Sequence, residues 1–288
     1  MASARDLQRQ INTVKNQARV FSALQTVSSV KFRKAEARVK RARPYAENVE
    51  QMMRDVAANA TGDLPLLTGR EVNRVAVCTL TADRGLAGGF NAQVLRRTLR
   101  LRGEKDPDAL QVASGRKAVA FFRFRRVELA EVFTSFTDNP AYENAREIGR
   151  TLTRLFDEEE ADEVYLVYNR FESVLNQRPV VTRLLPVARE EDDDDNDWNG
   201  TSYMDYVPDA ETVLKRLVPR YVETMVWQAL LEGAAGEHGA RMTAMKNATD
   251  NANDMVRDLT LAMNKARQAQ ITQEILEIVG GAEALSAG

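Results

Sequence analysis

Residues Met245–Ala269 read MKNATDNANDMVRDLTLAMNKARQA, and this stretch decides the fold. Apolar and small residues recur in it at spacings of three and four: Met245, Ala248, Ala252, Met255, Leu259, Ala262, Ala266 and Ala269. That period marks a coiled-coil seam. Alanine is frequent in it, so two backbones can approach closely and leave a thin shaft. Outward from this stretch, the helical pattern runs from about Pro208 to about Val279, with Pro219 as an internal breaker and Gly233 and Gly236 as soft points. A helix of that size is about 100 Å long, more than a compact domain needs. It requires a partner.

The other end of the chain supplies one. The first ~58 residues hold no Gly and a single Pro, Pro44. A second seam runs through Leu7, Ile11, Val14, Ala18, Phe21, Gln25, Ser28, Phe32, Ala35 and Val39. It predicts one helix of about 80 Å, ended by Thr61-Gly62-Asp63 and Pro65. Two such helices at opposite ends of one chain are expected to pair antiparallel. The C-terminal one outruns its partner, leaving Asn264–Val279 alone, and a lone helix of that length is marginal in water.

Between them the pattern changes. Strands are expected at Arg74–Thr81, Leu110–Ser114, Val127–Phe133, Val164–Tyr168 and Pro179–Pro186. Helices are expected from about Asn91, at Gly115–Phe124 and at Pro140–Phe156. Alternation of this kind predicts a small α/β domain with a largely parallel sheet.

Charge and composition exclude several classes. The net charge of −2 gives no global pull toward nucleic acid or an anionic membrane. Local asymmetry is strong: eleven Lys/Arg against two acids up to Arg43, and seven acids with no base across Glu190–Asp197. These runs read as solvated faces and loops, or, for the N-terminal helix, as a basic surface for an acidic partner. With one Cys, Cys78, and one His, His238, neither an internal disulfide nor a Cys/His metal cluster can form. A reducing compartment is expected. No apolar run reaches the ~20 residues that span a bilayer, and the N-terminus lacks the features of a secretory signal.

Two motifs invite chemistry. Gly85-Leu-Ala-Gly-Gly89 follows a strand, as a phosphate loop would, but no Lys follows its glycines and GxGxxG is absent. A tight strand-to-helix connection is the expectation. His238 has no evident catalytic companion, and the carboxylates are not spaced as catalytic pairs. No catalytic residue, cofactor site or metal site is expected.

The terminal motifs carry a resemblance. Arg241-Met-Thr-Ala-Met-Lys-Asn-Ala-Thr-Asp-Asn-Ala252 and Asn264-Lys-Ala-Arg-Gln-Ala-Gln-Ile-Thr-Gln-Glu-Ile-Leu-Glu-Ile-Val-Gly-Gly281 resemble the gamma subunit family of F-type ATP synthases. That family's pattern is close to ARMxAMKxATDNA followed by YNKxRQxxITxEIxEIVxGA. Lys31-Phe-Arg-Lys34, Arg43-Pro-Tyr45, Thr81-Ala-Asp-Arg-Gly-Leu-Ala-Gly-Gly-Phe-Asn91 and Arg220-Tyr-Val-Glu223 match in order. Leu24, Val27, Ala87 and Met263 depart from the usual residues and conserve size or polarity. The two-cysteine regulatory insert of the chloroplast form is missing.

The resemblance implies a fold: a long antiparallel coiled coil plus a small Rossmann-like α/β domain, mostly helical. Its parts are an N-terminal helix over 1–60, the α/β domain over 70–190, an acidic loop and foot turn over 190–207, and a C-terminal helix over 208–282. It also implies a role: a non-catalytic central stalk rotating inside a ring of alpha and beta subunits, coupling proton or sodium flow to ATP chemistry on the beta subunits. The foot would meet the epsilon subunit and the membrane c-ring, with no direct membrane insertion and no nucleic-acid partner. The implied site is the cytoplasmic face of a bacterial inner membrane. Arg267, Gln268 and Thr272 carry over as beta-subunit contacts, and Tyr203 and Tyr206 as foot contacts. A generic coiled-coil scaffold would explain the seams alone, and a nucleotide-binding enzyme would need the phosphate loop and catalytic set that are missing.

Overall fold

The computed structural model describes residues 3–59, 69–187 and 210–286. The acidic run Glu190–Asp197 and the foot tyrosines Tyr203 and Tyr206 lie outside the described residues. In chain order the elements are α1 (Ala4–Asn59), β1 (Val75–Leu80), α2 (Phe90–Lys105), β2 (Leu110–Ser114), α3 (Arg116–Phe124), β3 (Leu129–Phe133), α4 (Tyr142–Asp157), β4 (Glu163–Phe171), β5 (Gln177–Leu185) and α5 (Ala210–Ser286). They form two units: residues up to Val27 with those from Met242, and Ser28–Arg241.

The larger unit is built on a five-stranded sheet of order β3-β2-β1-β4-β5. The first four strands pair in parallel, and β5 returns antiparallel to β4. The central strand, VAVCTL, is buried along its whole length, as expected where both faces of a sheet are covered. Its side chains alternate between two cores. Val75 and Val77 pack with Val94 and Leu101 of α2. Ala76, Cys78 and Leu80 pack with Ile148 and Leu152 of α4, with Val49, Met53 and Val56 of α1, and with Val218, Val222 and Val226 of α5. Helices α2 and α3 thus cover one face, and α4 with parts of α1 and α5 covers the other. The Cys78 thiol is pushed up to about 12 by this burial and stays protonated.

Polar contacts fix the register of α1 and α5 in this unit. Glu232 is 4% exposed. Its carboxylate accepts from the Phe171 amide at 3.1 Å, from Gln228 at 2.6 Å and from Arg43 at 3.4 Å. One buried acid so ties α1, β4 and α5, and each of its bonds is charge-assisted. Gly149 of α4 sits where an added Cβ would lie 3.2 Å from the Glu223 backbone, so α4 and α5 touch at close range.

In the smaller unit the beginning of α1 lies beside α5. Leu7, Ile11, Val14, Ala18, Phe21 and Gln25 of α1 are buried or half-buried, and most of their neighbours are exposed. On α5 from Met245 onward the buried or half-buried set is Met245, Ala248, Thr249, Ala252, Val256, Leu259, Thr260, Met263, Asn264 and Ala266. This corrects the expected seam at three positions. Met255 is 54% exposed, Ala262 and Ala269 are exposed, and Val256 and Met263 take the inward places of the first two. The heptad anchors Met245, Ala252, Leu259 and Ala266 are common to both registers; the intermediate positions turn by one residue. Threonine is the physical reason. The Thr249 and Thr260 hydroxyls donate to the Met245 and Val256 carbonyls within their own helix, at 2.9 and 2.6 Å. Their polarity is satisfied locally, so they do not repel the seam.

The register is testable in the full chain by thermal or urea unfolding. Val256→Ala should cost about 1 kcal/mol, and Met255→Ala less than half of that. Ala252→Leu should cost about 1–3 kcal/mol by overpacking, and Asn253→Leu under about 0.5. Equal losses within either pair would place the seam elsewhere.

Candidate functional site

Two surfaces answer to the motifs. The first is the turn after β1. The Thr81 hydroxyl donates to the Ser114 carbonyl at 3.1 Å and accepts from the Ala118 amide at 2.9 Å. The Ala82 amide donates to Asn91 Oδ1 at 2.8 Å, and the Asp83 amide to the Thr137 hydroxyl at 2.8 Å. The Asp83 carboxylate accepts from the amides of Arg116 and Thr137 at 3.0 and 3.1 Å. Burial alone would raise the Asp83 carboxyl, but the amides of Ser135, Thr137 and Arg116 together hold it below the usual carboxylate range. The Ala82 and Asp83 amides that open the turn are thus engaged by the protein's own side chains. Leu86 and Gly88 take positive φ, 62° and 54°, to turn the chain into α2.

A cluster that the sequence did not reveal anchors this turn to α5. Arg241 Nε donates to the Gly85 carbonyl at 3.1 Å, and Arg241 Nη2 to Glu237 at 2.5 Å. His238 lies between Arg241 and the Asp138 backbone. The only signal available was the i,i+4 spacing of Glu237 and Arg241. Their link to Gly85 spans 156 residues. Among the described residues, no group of three or more His, Cys, Asp and Glu side chains is placed to hold a metal ion.

The second surface is the end of α5. Every residue from Arg267 to Ala282 is exposed. The bare stretch therefore starts at Arg267, three residues later than the spacing suggested, because Asn264 and Ala266 are half-buried. Its apolar residues are ordered. At 100° per residue, Ile271, Ile275 and Ile278 form one stripe, with Val279 and Leu276 beside it. Their exposures run from 48% to 71%. Arg267, Gln268 and Thr272 fall on the same side. The Thr272 hydroxyl donates to the Gln268 carbonyl at 3.0 Å, which leaves its oxygen free to accept. The opposite side is polar, with Gln270 donating to Glu274 and Gln273 to Glu277 at 2.9 and 3.0 Å. This apolar arc does not continue the seam: from Ala266 to Ile271 the helix rotates about 140° beyond a full turn. Of the expected contact residues, Arg267 therefore borders the isoleucine stripe on one edge, and Gln268 and Thr272 border it on the other.

A profile of the family described as ATP synthase matches residues 3–285. The ATP synthase gamma chain of Rubrobacter xylanophilus is 67% identical over the full length of both chains. That of Moorella thermoacetica is 48% identical over 99% of this chain and all of its own. A chain in the cryo-EM structure of Euglena gracilis mitochondrial ATP synthase, OSCP/F1/c-ring, rotational state 3, shares the fold. It has a TM-score of 0.70 at 18% identity, covering 99% of this chain and 95% of that one. This chain belongs to the ATP synthase gamma chain family.

The turn carries its own test. Gly115 has φ 91°, and an added Cβ would lie 2.1 Å from the Thr81 carbonyl oxygen. Gly115→Ala should cost at least about 3 kcal/mol in urea unfolding. Gly103→Ala, with nothing within 4 Å, should be neutral or stabilising by up to about 1 kcal/mol. A tolerated Gly115→Ala would refute the role assigned to this connection.

Proposed function

We propose that the chain is the central rotor shaft of an F-type ATP synthase. In this reading it turns inside the ring of alpha and beta subunits, and its foot bears on the epsilon subunit and the c-ring. Catalysis belongs to the beta subunits, and this chain carries force between ion flow and their sites. Its place is peripheral, on the cytoplasmic side of a bacterial inner membrane, with membrane association through the c-ring alone. Among the described residues no helix is long and apolar enough to cross a membrane.

The observation that carries the reading is the bare arc of α5. Five large aliphatic side chains, Ile271, Ile275, Leu276, Ile278 and Val279, stand exposed on a helix end with no partner among the described residues. Such an arc calls for an apolar sleeve from other chains. Arg267 and Gln268 sit at its start, where a planar guanidinium and an amide can grip a polar loop at the rim of such a sleeve.

Arg267→Ala combined with Gln268→Ala should leave folding of this chain unchanged, because both side chains are exposed. Bonds to a charged group contribute roughly 1.5–3 kcal/mol. If the contact is made only in the rate-limiting rotary state, turnover per assembled complex should fall about 10- to 150-fold. Turnover of ATP synthesis and hydrolysis, measured with subunit stoichiometry, checks this. Normal turnover at normal assembly excludes force transmission through these residues. Poor assembly with normal turnover per complex makes them docking contacts.

A further inference from the structure

His238 is the chain's single histidine, and its side chain is 2% exposed. Its two neighbours define which ring nitrogen carries the proton. Nε2 lies 3.1 Å from the Asp138 carbonyl oxygen, which can only accept. Nδ1 lies 3.4 Å from Arg241 Nη1, which can only donate. The neutral ring with hydrogen on Nε2 satisfies both contacts, and the imidazolium satisfies only one. The same guanidinium holds the Gly85 carbonyl through Nε at 3.1 Å.

We propose that His238 is a proton-sensitive positioning group: neutral, it accepts from Arg241 and holds that side chain on the Gly85 carbonyl, and protonation at Nδ1 frees the glycine turn from α5. A second N–H and a second positive charge would then face the guanidinium, and no acceptor lies between them. The incoming proton comes from solvent, because the ring lines a cleft of about 300 Å³ together with Lys31, Lys34, Arg38 and Asp138.

The charged groups around the ring set the balance. Glu237 and Arg241 face it from α5, Asp138 from the segment before α4, and Lys31 from α1. Asp83 and Arg84 bear on the same cluster from the turn. The Asp138 carboxylate, with Oδ1 3.6 Å from Nε2, favours the imidazolium. It is already held by Lys31 Nζ at 2.5 Å. Burial first, with Arg241 and Lys31, outweighs Asp138 and keeps the ring harder to protonate than its ordinary 6.5. The unfolded chain therefore takes the proton first. The contribution to stability is full above about pH 6.5 and is lost as the pH falls through the lower folded value. Glu237 is raised by burial, against the opposing pull of Arg241. Its protonation would also loosen Arg241, so the test must separate the two.

A lone histidine makes the experiment direct. In the full chain labelled with 15N-histidine, NMR should show the Nε2–H tautomer at pH 7.5 and a titration midpoint below 6.5. Hydrogen exchange of the amides at 84–90, corrected for intrinsic rates, should rise about tenfold across that midpoint. His238→Gln should abolish the step, and Glu237→Gln should keep it. An Nδ1–H tautomer at neutral pH, turn exchange indifferent to the histidine midpoint, or a step that survives in His238→Gln would overturn the proposal. If His238→Gln does not fold, the wild-type tautomer and the coincidence of the two midpoints still decide.

Discussion

The need to cover the second face of the sheet governs the larger unit. Ala76, Cys78 and Leu80 present an apolar surface that α4 alone does not close. The chain closes it with Val49, Met53 and Val56 of α1 and Val218, Val222 and Val226 of α5. Helices that begin and end the chain are thereby built into the core of the domain between them. Stripping them from the sheet would expose a large contiguous apolar area, which at roughly 25 cal/mol per Å² no surface contact could offset. The buried carboxylate of Glu232 adds direction to this packing, because its partners on α1, β4 and α5 must all be in register to satisfy it. Burying an acid is tolerable only under that condition.

The same chemistry explains which features were legible in the sequence. Strands with continuous apolar runs, such as VAVCTL, announce themselves, and Leu110–Ser114 matches its expected bounds residue for residue. The α1 seam was legible even at Gln25 and Ser28, since its period carried it through polar positions. The α5 register was half legible. Choosing seam residues by apolar identity favoured Met255 and Ala262, but a threonine with its hydroxyl bonded back to its own helix is nearly apolar to a neighbour. Contacts remote in sequence left no such trace. Nothing local to Gly85 reports that its carbonyl is held by Arg241.

At the end of α5 the sequence suggested a lone helix over Asn264–Val279, with polar and apolar residues interspersed. The helix gathers the apolar ones on one side. Arg267, Gln268 and Thr272 share that side with the isoleucines, and the Gln–Glu pairs fill the other. An arc rotated away from the seam is suited to a surface other than α1. A helix of this composition and length has little stability by itself in water, so its order and its function have one source in this account, a sleeve of partner subunits.

Hydrogen exchange at residues 267–282 tests that claim most directly, comparing the free chain with the same chain in the ATP synthase complex purified from its membrane. Exchange should be fast in the free chain and slowed by at least about tenfold in the complex, most strongly around Ile271, Ile275 and Ile278. Equal exchange in both states would mean that nothing covers the arc, and the reading of this helix end as the contact surface of a rotor would be contradicted.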